Sequence, residues 1–129
     1  MKLPPDQVEA LAAAMLAVQD FGNRWLEKVW GQLPALRAAR ITDPDWVAKT
    51  DLDVIITALR SCGFDRGKLS GLVVGRFQTG MKAVAEGTLD RLPALLQKGD
   101  DVAAIELLDS VPGIGPAVAK KTLWLLEDE

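Results

Sequence analysis

Histidine is absent from the 129 residues and cysteine occurs once, at Cys62. The first absence removes both the commonest metal ligand and the commonest general base. A single thiol rules out an intrachain disulfide and any four-cysteine zinc or iron–sulfur site, so no iron–sulfur cofactor is expected. No apolar run approaches the roughly twenty residues of a membrane-spanning helix, and no basic start leads into a hydrophobic stretch and cleavage site. The expectation is a cytoplasmic protein with no membrane partner. Strict polar–apolar alternation is missing too, which leaves no stretch to read as a strand.

What is present is a globular composition, 49% hydrophobic and 26% charged, and not that of a disordered chain. The length suits one domain, 1–129, with a real core. A net charge of −3 is unlike that of many nucleic-acid binders, which are often basic. The charges are unevenly spread, however. Asp6, Glu9, Glu127, Asp128 and Glu129 crowd the two ends, while Arg66, Lys68, Arg76, Lys82, Lys120 and Lys121 lie in or beside candidate hairpins.

Taken in order, Pro4-Pro5-Asp6 opens a helix running to about Asp20, with Val8, Leu11, Ala12, Met15, Leu16 and Val18 apolar. Phe21-Gly22-Asn23 breaks it. A second helix from about Arg24 carries Trp25, Leu26, Val29, Trp30, Leu33 and Leu36, with both tryptophans read as core or rim residues. Pro34 inside that pattern predicts a kink or a helix end near Leu33. Thr42-Asp43-Pro44 is a cap with a first-turn proline, and starts a short helix through Ala48. Thr50-Asp51 caps the next, whose Leu52, Ile55, Ile56 and Leu59 form a stripe up to Ser61. After a turn at 62–65, a long helix spans about 67–86 and ends at Gly87. Its Gly71, Gly75 and Gly80 are expected where another helix approaches closely. Segments 90–98, broken by Pro93, and 101–109 follow. The fold class is all-α, a compact bundle of seven or eight helices.

The most informative stretch is 107–126. Two apolar, helically spaced segments flank Pro112-Gly113-Ile114-Gly115-Pro116, residues that stop one helix and start another within a few positions. Gly113 and Gly115 allow positive φ or the close approach of another backbone, and Ile114 between them is expected to turn inward. Pro116 suits the first turn of the second helix. The free amides of Ala117 and Val118 then face outward at a helix N-terminus, where N–H groups and the dipole favour an anion. Lys120 and Lys121 add charge about a turn later. Ala119, Leu123 and Leu126 form a packing stripe, with Ala117, Lys120, Lys121 and Trp124 on other faces.

Val111-Pro112-Gly113-Ile114-Gly115, with the small residue Ala119 four positions on, resembles the helix-hairpin-helix motif of DNA-repair and replication proteins, here within 101–127. The resemblance implies non-sequence-specific binding of a DNA phosphate by the amides of Gly113, Gly115, Ala117 and Val118. In some members a monovalent cation, Na⁺ or K⁺, is held by hairpin carbonyls, which here would be those of Asp109, Val111 and Ile114. Gly63, Phe64 and Lys68 are in register with the Gly-Leu/Phe-Tyr-x-x-Lys-Ala turn of the endonuclease III-like glycosylases, and 15–20 resembles that family's Leu-Leu-Ser-x-Gln-x segment. Gln19, Arg66 and Lys68 are thereby candidate further DNA contacts. Together these matches imply that about 8–126 corresponds to the six-helix barrel subdomain of the glycosylase superfamily and of base-excision repair.

Where the sequence departs from that family, catalysis is affected. The position of the lysine nucleophile of bifunctional members is Ala117, and Lys120 and Lys121 stand elsewhere on the helix. The family's catalytic aspartate would lie further along than Glu129, and the second subdomain that closes the lesion pocket has no counterpart in 1–129. The requirements for glycosidic cleavage are unmet, so no catalytic residue is assigned. Three readings follow: a DNA-binding domain without catalysis; a fragment or subunit of an active glycosylase, which would bring a second protein subunit as partner; and a protein-interaction scaffold.

Overall fold

The computed structural model describes residues 5–18, 29, 31–64, 67–112 and 114–127. Its elements are α1 (Pro5–Val18), α2 (Leu33–Ala38), α3 (Pro44–Lys49), α4 (Leu52–Ser61), a 3₁₀ turn (Gly67–Leu69), α5 (Ser70–Ala85), α6 (Leu92–Gln97), α7 (Asp101–Asp109) and α8 (Pro116–Glu127). Among the described residues there is no strand, and the chain is an all-α bundle. The expected break at 21–23, most of the helix expected from Arg24, and Gln19, Trp25, Trp30, Arg66 and Gly113 lie outside the described residues.

Prolines start helices here. Pro5, Pro44 and Pro116 open α1, α3 and α8, and Pro34 and Pro93 occupy the second positions of α2 and α6. The helix end expected near Leu33 is present, since residue 31 is helical, 32 is a turn and a new helix starts at Leu33, whereas the interrupted helix expected at Pro93 is corrected to a fresh start. In the first turn the missing N–H has no partner to lose and the fixed φ is already helical. Asp43 and Asp100 cap α3 and α7, accepting amides of Asp45 (3.1 Å) and Trp46 (3.3 Å), and of Ala103 (3.2 Å). Asp51 precedes α4 without a side-chain cap bond, so the sequence signal there gives the boundary and not the bond.

The bundle is built on α1. Residues 10–16 have no polar member and all are buried, the signature of a helix enclosed on every side. α8 lies along α1, α5 also packs on it, α3 and α4 pack on α5, α6 packs on α7, and α7 packs on α8. Arg37 of α2 closes a two-pronged ion pair on Glu9 of α1, its Nη2 reaching Glu9 Oε1 at 2.8 Å. That pairing holds the Arg37 guanidinium pKa above its ordinary value, through the hydrogen bond to Glu9 first and the Glu9 charge as well, against desolvation. Gln78 of α5 donates to the carbonyls of Val47 (3.0 Å) and Thr50 (2.8 Å), closing the end of α3.

Three elements converge at Gly80. A Cβ there would fall 2.6 Å from Met15 Sδ of α1 and 3.4 Å from Ile114 Cγ1 in the α7–α8 connection. The close approach expected at this glycine is present. At Gly71 and Gly75 it is not, because a Cβ at either would meet nothing within 4 Å. Their face of α5 is open, and the reading of all three as helix-contact glycines is corrected accordingly.

Candidate nucleic-acid interface

The α7–α8 connection is set by a few backbone bonds. The Ser110 amide reaches the Glu106 carbonyl at 3.1 Å and the Val111 amide reaches Leu108 at 3.2 Å, ending α7. The Ile114 amide then donates to the Val111 carbonyl at 3.0 Å, a β-turn with Pro112 at its second position, where proline's fixed φ fits. Val111 and Ile114 are both 2% exposed, so the turn is fastened to the core by its two ends.

The first bond into α8 runs from the Ala119 amide to the Gly115 carbonyl, 3.0 Å. The amides of Ala117 and Val118 precede that ladder and take no backbone acceptor within it. Ala117 is exposed, and Lys120 and Lys121 are exposed one turn on, while the side chains of Val118, Ala119, Thr122, Leu123 and Leu125 are buried. The division of faces expected from the sequence, with Ala119 and Leu123 inward and Ala117, Lys120, Lys121 and Trp124 outward, is the observed one. The inward side, however, faces α1 as well as α7.

Gly115 departs from expectation. It does not take a positive φ, and a Cβ added to it would meet nothing within 4 Å. Neither tight backbone geometry nor a neighbour among the described residues requires glycine there, and its bare side faces open space among them. Of the carbonyls proposed for a cation, that of Val111 already accepts one amide, that of Asp109 ends α7, and that of Ile114 stands outside the α8 ladder. Among the described residues no group of three or more acidic or cysteine side chains could hold a metal ion. No helix among them is long and apolar enough to cross a membrane.

Lys68 is exposed on the 3₁₀ turn that packs on α5, one turn before Leu72. A shallow cleft of about 440 Å³ runs between the open face of α5 and the hairpin, lined by Gly71, Leu72, Gly75, Arg76, Thr79 and Pro112. The structure therefore brings Arg76 beside the turn that carries Pro112, a grouping the sequence left undrawn. The available signal was the four-residue spacing of Gly71, Gly75 and Thr79, which puts three small residues on one face. Trp124 is the second addition, a large aromatic left on the open side of α8.

The chain matches no protein-family model, no curated protein and no solved structure. Any functional assignment therefore rests on the residues and their geometry.

Proposed function

We propose that this protein is a non-sequence-specific DNA-binding domain that grips the phosphate backbone at the α7–α8 turn, without catalysis. The observation that carries the reading is the start of α8, where two amides outside the helix ladder, the bare side of Gly115 and the exposed Lys120 and Lys121 lie together. A helix N-terminus offers aimed donors and a partial positive charge to an anion, so a neutral backbone supplies most of the site. Gly113 would complete it by the sequence match. A monovalent cation on the carbonyls of Asp109, Val111 and Ile114 would bring further positive charge to a phosphate beside the turn. Arg76 and Lys68 would extend the positive surface along α5. Ala117 offers no amine where the resemblance places a nucleophile, which favours binding over strand or base cleavage.

Gly115→Val tests this directly. Its side chain would enter free space, so helical circular dichroism is retained, while a phosphate approaching the amides is blocked. Binding to a random-sequence duplex is expected to fall about tenfold or more, the scale of losing one or two charge-assisted hydrogen bonds. Undiminished binding by Gly115→Val would mean that the turn serves only to pack helices, and the scaffold reading would replace this one.

A further inference from the structure

Trp124 stands on the open side of α8 with 46% of its surface exposed. Large aromatics are highly buried on average, and those left out in solvent concentrate at contact sites. Position 124 follows 117 by seven residues, so the two point within about 20° of each other and lie about 10 Å apart along the axis. Along this one side, α8 carries the amides of its first turn, then the ammonium groups of Lys120 and Lys121, then the indole. In the sequence, formal charge beyond Leu126 is negative, at Glu127, Asp128 and Glu129. An anionic chain is therefore attracted to the first two turns, and the indole is left for something other than a phosphate.

We propose that this side of α8 binds an unpaired DNA strand, with its backbone at the hairpin turn and the two lysines and a nucleobase stacked on Trp124. The proposal rests on the reading of the turn as a phosphate site and adds the form of DNA it takes. In an intact duplex each base face is covered by its neighbours, whereas an unpaired base can lie flat on an aromatic side chain regardless of sequence. Lys120 and Lys121 supply the charge complementarity that a purely apolar partner surface would not use.

The test compares an oligothymidylate, a strand of the same length built of abasic residues, and a blunt duplex, each titrated against the whole chain and its Trp124→Leu and Trp124→Phe variants. The abasic strand keeps every phosphate and removes every base. The parent is expected to bind oligothymidylate about tenfold more tightly than the abasic strand, the size of one stacked base. Trp124→Leu should abolish that preference while leaving abasic and duplex binding in place, and Trp124→Phe should retain part of it. Equal binding of the two strands by the parent, or a preference that survives Trp124→Leu, would overturn the stacking proposal and leave the hairpin reading standing. Failure to bind any of the three would overturn both. A change of oligomeric state on Trp124→Leu with no change in strand preference would assign the indole to a protein partner instead.

Discussion

Gly80 and Gly75 lie in the same helix and face opposite circumstances. At Gly80 an added methyl would press on the fully buried Met15 and come into contact with Ile114, the two side chains that tie α1 and the hairpin turn to α5. At Gly75 it would enter the open cleft beside Pro112. Replacing glycine by alanine inside a helix gains up to about 1 kcal/mol in propensity, and overpacking a core costs about 1–3 kcal/mol. Gly75→Ala should therefore raise stability by about 0.5–1 kcal/mol, and Gly80→Ala should lower it by about 1 kcal/mol net. Thermal or denaturant unfolding of the two variants decides the matter. Equal effects of the same sign would contradict the packing described at the junction.

At the scale of elements, one device ends four helices. After α4 the Gly63 amide bonds to Arg60 (3.0 Å) and the Phe64 amide to Leu59 (2.9 Å), and 40–41, 87–88 and 99–100 repeat the pattern after α2, α5 and α6. This Schellman arrangement needs a left-handed residue just past the cap. Glycine takes it three times, but after α2 the position is Arg40 at φ 65°. A side chain there costs about 1–2 kcal/mol, of which the greater unfolded-state freedom of glycine returns part. Arg40→Gly should accordingly stabilise by about 0.5–1 kcal/mol, read as a rise of a few degrees in Tm; an unchanged or lower Tm would contradict the strain. The residues that announce such boundaries were also the most legible in the sequence. Asp43-Pro44 started α3, Ser61 ended α4, Gly87 closed α5, α7 fell on 101–109 and α8 began at Pro116. The caps and the terminal proline and glycine named here act on their own few residues, so these boundaries read correctly without the rest of the fold. Pro93 misleads because a proline excluded from one helix interior is equally at home opening another, as Pro34 also does just past the helix end expected near Leu33. Gly71 and Gly75 misled for a different reason: a residue with no side chain does not declare whether its face is covered, and only the packing of α5 against its neighbours determines that. The same holds for Trp124, since spacing set it apart from the packing stripe but not how much solvent it meets.

On the scale of the whole molecule, α8 belongs at once to the core and to the candidate site. Its inner side lies along the enclosed α1, Ile114 meets Gly80 at the centre, and its outer side carries the exposed lysines. The amides at its start are therefore held by the most buried part of the bundle, a preorganised arrangement that an anion would meet without ordering a loop. A net charge of −3 makes long-range attraction of DNA weak, which suits a site built from backbone donors. Binding of DNA phosphates by this face through few cationic contacts is checked by titrating duplex DNA at a series of salt concentrations. Phosphates paired with Lys120 and Lys121 release counterions, whereas those held by neutral amides do not, so the slope of log K against log salt should be shallow, on the order of −1 to −3. The dissociation constant should be no tighter than about 10⁻⁶ to 10⁻⁴ M at physiological salt, and Lys121→Ala should flatten the slope by about one unit. No salt-sensitive binding at low ionic strength, or a slope untouched by Lys121→Ala, would contradict that mode of binding.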